Sequence, residues 1–318
     1  MNKNIKIFSI VLLVSFFGGW GVNLISNNLV DAFYWQEIGQ DSEMFLAQIN
    51  VEPRMERVLA QRELRKKLET DLKAESAISV FIDPRGEEKI LFEKNSSVKR
   101  PIASLTKLMT ALIAENEYKP EQIFVISQAA VSQEEDKGNL KTGENLSLNE
   151  LLHIMLIESS NDAAWAIGEG KENFSGAMNL EAQKLGLENT YFINPTGLDG
   201  YENYSTAADL VKLVEYIAKQ HPRIFEITAK QSYEVINPDG SLHHFIGENT
   251  NKLLVEVPGI IGGKTGYTDE AGGCIIVLLE NEKGGYFINV ILGTVSADER
   301  FPEMKKLIDF DKEYESSI

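Results

Sequence analysis

The sequence predicts an α/β protein of the α+β kind, with an antiparallel sheet flanked by helices, a mostly helical lobe, and an N-terminal transmembrane helix. Three observations predict it. A strand-like hairpin over residues 77–93 is followed by helical patterns to about residue 230, and strand patterns return between residues 255 and 292. The sheet therefore takes strands from both ends of this region, with the helices between them. Ahead of it, residues 7–25 carry no charge and are long enough to span a bilayer as a helix.

Composition sets the outer limits. The 318 residues are 43% hydrophobic and 25% charged, with room for one large domain or two small ones. A net charge of −17 argues against a nucleic-acid partner, which needs a basic face. Cys274 is the single cysteine, so no internal disulfide forms and the fold stands on its core. No internal repeat is visible. Lys3 and Lys6 precede the uncharged run, and no Lys or Arg follows until Arg54, which places residues 1–6 in the cytoplasm and the rest outside. An uncleaved anchor is preferred to a cleaved signal peptide, because no small-x-small site is clear and the run is long for a signal core. Either way the body is exported. The expected organisation is an anchor or signal over 1–28, a charged helical spacer over 29–75, and a catalytic domain over 76–318. In the spacer, Leu59, Leu64, Leu68 and Leu72 form a thin stripe, expected to belong to a solvated stalk and too short for a persuasive coiled coil.

The elements follow in order. Ala77-Ile-Ser-Val-Phe-Ile-Asp83 and Lys89-Ile-Leu-Phe-Glu93 read as strands about the turn Pro84-Arg-Gly-Glu-Glu88. Pro101 suits the first turn of a helix, and Ile102, Leu105, Leu108, Met109 and Leu112 give it a buried face. Residues 148–167 are strongly helical, but Ser159-Ser-Asn-Asp162 disfavours a helix interior, so one helix ends near Ile157 and the next begins with a polar cap. Ser147 also reads as a cap. Residues 191–200 form a turn-rich loop, and a helix capped by Ser205 or Thr206 runs to about residue 218. Gly259, Gly262, Gly263 and Gly266 mark a strand with a bulge or a close ligand approach. Two strands about Asn281-Glu-Lys-Gly-Gly285 and a last helix over about residues 297–313 complete the chain.

Three short motifs carry chemistry. Ser104 and Lys107 lie three apart at a helix start, a hydroxyl nucleophile with an amine base on one face. Ser159-x-Asn161 lies at a helix–helix turn, and Lys264-Thr-Gly266 lies in a glycine-flanked strand. Each has little weight alone, and the chain holds decoys at Ser96 with Lys99 and at Lys141-Thr-Gly143. The ordered set, each in its own context, is specific. With Asn194-Pro-Thr-Gly-Leu198, Tyr204-Ser-Thr-Ala207 and the continuation Tyr267-Thr-Asp-Glu-Ala-Gly272, the chain resembles the serine-type D-Ala-D-Ala carboxypeptidases, the low-molecular-weight penicillin-binding proteins. The likeness covers about residues 77–315.

The resemblance implies a β-lactamase/DD-peptidase-like fold with its cleft between sheet and helical lobe. It implies removal of the terminal D-Ala from peptidoglycan stem peptides, in cell-wall biogenesis, through an acyl-enzyme, with no cofactor and with β-lactams as inhibitors. Ser104 would attack, Lys107 would take its proton, and Ser159 would relay a proton to the leaving amine. Burial and the cation of Lys264 would favour a neutral Lys107. Asn161 would hold the substrate amide, Lys264, Thr265 and Gly266 would line the carboxylate subsite, and the backbone N–H groups of Ser104 and Tyr267 would form the oxyanion hole.

Alternatives are weighed against the same residues. Of the four histidines, His153 lies on an apolar helix and reads as core, and His243-His244 follows a turn and reads as surface. None has metal-ligand spacing with a cysteine or acid, so no metal site is expected. A β-lactamase would need a Glu-x-x-Leu-Asn signature after Asn161, and there is none, so a long-lived penicilloyl enzyme is expected instead. A D,D-endopeptidase acting on cross-links would use identical chemistry and remains open. A non-catalytic penicillin sensor would be expected to have lost one of Ser104, Lys107, Ser159, Asn161 or Lys264.

Overall fold

A computed structural model of the chain describes residues 51–135, 138–198, 202–236 and 240–316. The chain divides into two compact units, residues 1–62 and 63–318. Helix α1 (Val51–Asp71) contains all the described residues of the first unit and continues into the second. The expected anchor at residues 7–25 lies outside the described residues. Among those described, no helix is long and apolar enough to cross a membrane.

After α1 come β1 (Ser76–Ile82), β2 (Glu88–Lys94) and β3 (Arg100–Pro101), then a 3-10 turn (Ala103–Thr106) and α2 (Lys107–Glu117). The lobe continues with β4 (Ile123–Val125), α3 (Gln128–Val131), β5 (Asn145–Ser147), α4 (Leu148–Ile157), α5 (Asn161–Glu169) and α6 (Phe174–Lys184). Next are β6 (Tyr204–Ser205), α7 (Ala207–Gln220), α8 (Pro222–Thr228), β7 (Tyr233–Ile236), β8 (Leu242–Ile246) and α9 (Leu253–Glu256). Strands β9 (Ile260–Thr268), β10 (Gly272–Glu280) and β11 (Tyr286–Thr294) precede the last helix, α10 (Arg300–Ser316).

The main sheet has the order β2-β1-β11-β10-β9, antiparallel throughout, so strands from both ends of the domain meet at the β1–β11 pair. Its side chains alternate between two cores, as a period of two requires. Ile78, Val80, Ile276 and Leu278 face the helical lobe, whereas Ala77, Ile275, Val277 and Leu279 face α10. Burial on both faces is why β10 reads in sequence as one apolar run and not as an alternation.

Two expectations needed correction. Pro101 does not start a helix: it pairs with Tyr204 in a two-residue ladder, and α-helix begins only at Lys107, after the 3-10 turn. Leu59 is 49% exposed, as a solvated stripe should be, but Leu68 and Leu72 are buried. They share a core with Leu307, Phe310 and Tyr314 of α10. The stripe was too thin to announce a partner that lies over 230 residues later. Glu303 of α10 fastens the same junction by accepting from the backbone N–H groups of Lys73 (2.5 Å) and Ala74 (3.0 Å). The segment before the glycine-rich strand contains the short α9, and residues 233–246 form a separate hairpin of β7 and β8.

One polar group is sealed beneath the sheet. Asp311 of α10 is fully buried and accepts from Ser79 Oγ on β1 (2.6 Å) and Asn289 Nδ2 on β11 (2.6 Å). Burial pushes its carboxyl up to about 7, against these two hydrogen bonds. The folded value exceeds the unfolded one, so the folded state binds the extra proton between them. The contribution of Asp311 to stability is therefore complete below the unfolded value and falls as pH rises toward about 7. Denaturant unfolding of wild type and Asp311→Asn at about pH 4 and about pH 8 checks this: the variant should gain stability relative to wild type at the higher pH. A difference independent of pH would contradict it.

Candidate active site

Ser104 sits in the 3-10 turn, 7% exposed, just after Ala103 at φ +48°. A left-handed conformation in a residue with a side chain is held by its surroundings. Here the Leu105 N–H closes the turn on the Ile102 carbonyl (3.1 Å). The first eight residues of α2, from Lys107 to Ala114, are all buried, which fixes the place where Lys107 begins. Its fully buried amine nitrogen lies 2.6 Å from Ser104 Oγ, 2.6 Å from Asn161 Oδ1 and 2.8 Å from the Thr196 carbonyl oxygen.

The second segment is the break between α4 and α5. Glu158 caps the end of α4, Ser159 turns the chain at φ +67°, and Ser160 caps α5 by accepting from the Ala163 N–H (3.0 Å). That break makes Asn161 the first residue of α5. Both ends of its amide are engaged: Oδ1 accepts from Lys107, and Nδ2 donates to the Glu134 carbonyl (2.8 Å). Asp162 accepts from the Gly138 N–H (2.8 Å) and the Leu140 N–H (3.1 Å), which secures the neighbouring loop.

The third segment is the turn at Asn194-Pro-Thr-Gly197. Asn194 Oδ1 accepts from the N–H groups of Thr196 (3.2 Å) and Gly197 (2.8 Å), a side-chain turn that aims the Thr196 carbonyl at Lys107. Gly197 has φ +89°, and a β-carbon there would collide with the Ala103 carbonyl. Only glycine lets this turn lie against the Ser104 turn.

Strand β9 forms the opposite wall. Buried Lys264 donates to Ser159 Oγ (3.0 Å) and to the Thr265 carbonyl (2.8 Å). Thr265 Oγ1 bonds Thr250 Oγ1 (2.7 Å). Gly266 runs so close to the Ser104 turn that a β-carbon would stand 3.0 Å from Ser104 N. Arg300 Nη1 holds the Gly266 carbonyl from behind (3.1 Å). Tyr267 is 40% exposed at the rim; its hydroxyl donates to Asp269 (2.9 Å), a bond that also raises the phenol above its ordinary range.

The three motifs thus converge. Ser104, Lys107 and Asn161 are in direct contact, Ser159 joins Lys264, and Thr265, Gly266 and Tyr267 continue the wall. The decoys do not take part: Ser96 Oγ donates to Glu93 (2.7 Å), Lys99 covers the Tyr204 ring, and Thr142 Oγ1 donates to Gln128 (3.0 Å). His153 is the core residue its pattern implied. Its ring stacks on Tyr233, and burial lowers its pKa to about 4. His244 corrects the surface reading: its Nε2 lies 3.0 Å from Glu158 Oε1, beside Ser159. Thr196 was legible as part of a turn but not as a partner of Lys107, because a backbone carbonyl leaves no residue-type signal.

Residues 63–296 match the D-alanyl-D-alanine carboxypeptidase family. The chain belongs to that family. It is 34% identical over 247 residues to the D-alanyl-D-alanine carboxypeptidase DacF of Bacillus subtilis, covering 74% of this chain and 62% of the relative. It is 34% identical over 212 residues to the D-alanyl-D-alanine endopeptidase of Escherichia coli, covering 63% of this chain and 66% of the relative. The chain therefore spans just under two thirds of the length of each. Among solved structures it is similar to a Listeria monocytogenes penicillin-binding protein in its cefotaxime-bound form, with a TM-score of 0.65 and 32% identity over 75% of this chain and 97% of that one. The fold is the α+β arrangement of these penicillin-binding proteins.

The packing of Gly197 on Ala103 predicts that Gly197→Ala disturbs the Ser104 turn. The substitution should lower stability by about 1–3 kcal/mol and slow β-lactam acylation. Thermal unfolding and stopped-flow acylation with a fluorescent penicillin check this, and wild-type values for both would contradict it.

Proposed function

We propose that the protein is a serine D-alanyl-D-alanine carboxypeptidase that trims the terminal D-Ala from peptidoglycan stem pentapeptides. The observation that carries the reading is the surround of Lys107. A neutral amine there has two protons, which suit the oxygens of Asn161 and Thr196, and one lone pair, which suits the Ser104 hydroxyl. Ser104 Oγ attacks the carbonyl carbon between the two D-alanines while its proton passes to Lys107. The tetrahedral oxygen takes hydrogen bonds from the backbone N–H groups of Ser104 and Tyr267. The C–N bond breaks as a proton reaches the leaving amine by way of Ser159, and D-Ala departs. Water then hydrolyses the ester on Ser104.

Lys264 and Thr265 bind the terminal carboxylate of the substrate by charge and hydrogen bond, and Gly266 lets strand and nucleophile lie close together. Asn161 positions Lys107 in addition to any bond it makes to the substrate amide. β-Lactams react as substrate mimics and leave a slowly hydrolysed ester. Residues 7–25 anchor the chain in the cell membrane, with the catalytic domain outside the cytoplasm, facing the peptidoglycan. A second reading, a D,D-endopeptidase acting on cross-links, is supported by the similarity to the Escherichia coli endopeptidase.

Release of D-Ala from a stem pentapeptide and cleavage of a cross-linked dimer, assayed side by side on the full chain, test the two readings. Faster turnover of the pentapeptide is expected, and preference for the dimer would select the second reading. Lys107→Ala should lower either rate by about 10²–10⁴-fold. Full activity in that variant would remove Lys107 as the base.

A further inference from the structure

The hairpin of β7 and β8 has no task in the scheme above, yet it is tied to the Ser159 turn. From β8, His244 Nε2 reaches Glu158 Oε1 at 3.0 Å, and both side chains are largely covered. Glu158 is the residue before Ser159, whose φ of +67° must be maintained by its neighbours. Four residues after β8, the Thr250 N–H donates to the Ile157 carbonyl (3.1 Å), and Thr250 Oγ1 meets Thr265 Oγ1 (2.7 Å). One short segment, residues 244–250, therefore holds the two residues that precede Ser159 and also touches the strand that carries Lys264.

We infer that His244 is a positioning residue: as an imidazolium it grips Glu158 and holds the Ser159 turn where Ser159 Oγ accepts from Lys264. The inference rests on the reading of this site as an acylating centre. The charged groups that bear on the imidazole are acids from three neighbouring elements: Glu158 at the end of α4, Asp162 on α5 and Glu144 before β5. The hydrogen bond to Glu158 raises the imidazole above its ordinary range, against desolvation. Because the folded value is raised, the grip is complete below the unfolded value of 6.5 and is lost as pH rises through the folded one. The substitution Glu158→Gln removes the charge that His244 holds and leaves the Ser104 and Lys107 contacts in place.

The test is the second-order rate of acylation of the full chain by benzylpenicillin, from about pH 5 to about pH 9, for wild type, His244→Gln and Glu158→Gln. The ratio of wild type to variant cancels the rise that proton abstraction from Ser104 gives to all three. The ratio should be about fivefold at the acid end, the factor expected for a partly covered ion pair, and should approach one at the alkaline end. NMR of the histidine ring nitrogens should show His244 titrating above the ordinary range in wild type and returning to it in Glu158→Gln. A ratio that stays constant with pH, variants equal to wild type throughout, or an unchanged titration in Glu158→Gln would overturn the inference. A wild type that is acylated at no pH would instead overturn the reading of the site, and the titration would still decide whether the pair forms.

Discussion

The contact on which the rest depends is the placement of one amine, Lys107 Nζ, inside the core. Moving an amine out of water is costly unless polar partners replace the water. Oxygens from three different parts of the chain do so here: the Ser104 hydroxyl, the Asn161 amide and the Thr196 carbonyl are among its partners. The amine is therefore both a chemical group and a junction. These three contacts form together when the 3-10 turn, the α4–α5 break and the Asn194 turn are all in place.

The remaining architecture serves that junction. The antiparallel sheet gives β9 a fixed edge position, and Gly266 lets that strand lie against the Ser104 turn. The apolar length of α2 sets the position of its own first residue, so packing energy is turned into placement of Lys107. Beneath the sheet, α10 and the end of α1 close the second core, and Asp311 is held there between two strands. The α4–α5 break and β9 meet directly at Ser159 and Lys264. Preorganisation of this kind is what an acyl-transfer site requires, since groups already in position need not be ordered during reaction.

Much of this was legible in the sequence because it depends on residue type and spacing. The helix break at Ser159–Asn161, the capping of α4 by Ser147, the cap of α7 and the β10–β11 hairpin all follow from local chemistry. The three motifs could be told from their decoys because each required a particular element around it. What could not be read was long-range or made of backbone. Leu68 and Leu72 looked like a solvated stripe until the last helix supplied their partner. Pro101 fitted a helix start by propensity, but a two-residue ladder with Tyr204 decided its conformation. The Thr196 carbonyl has no sequence signature as a ligand of Lys107. The pairing of His244 with Glu158 joins residues 86 positions apart and left only a histidine after a turn to be noticed.

The central claim is that Ser104, activated within this junction, is the nucleophile. Intact-mass measurement and peptide mapping of the full chain after incubation with benzylpenicillin test it most directly. The account predicts one penicilloyl group, mapped to the peptide bearing Ser104 and absent from Ser104→Ala. No adduct on the wild type, or an adduct that survives in Ser104→Ala, would contradict it.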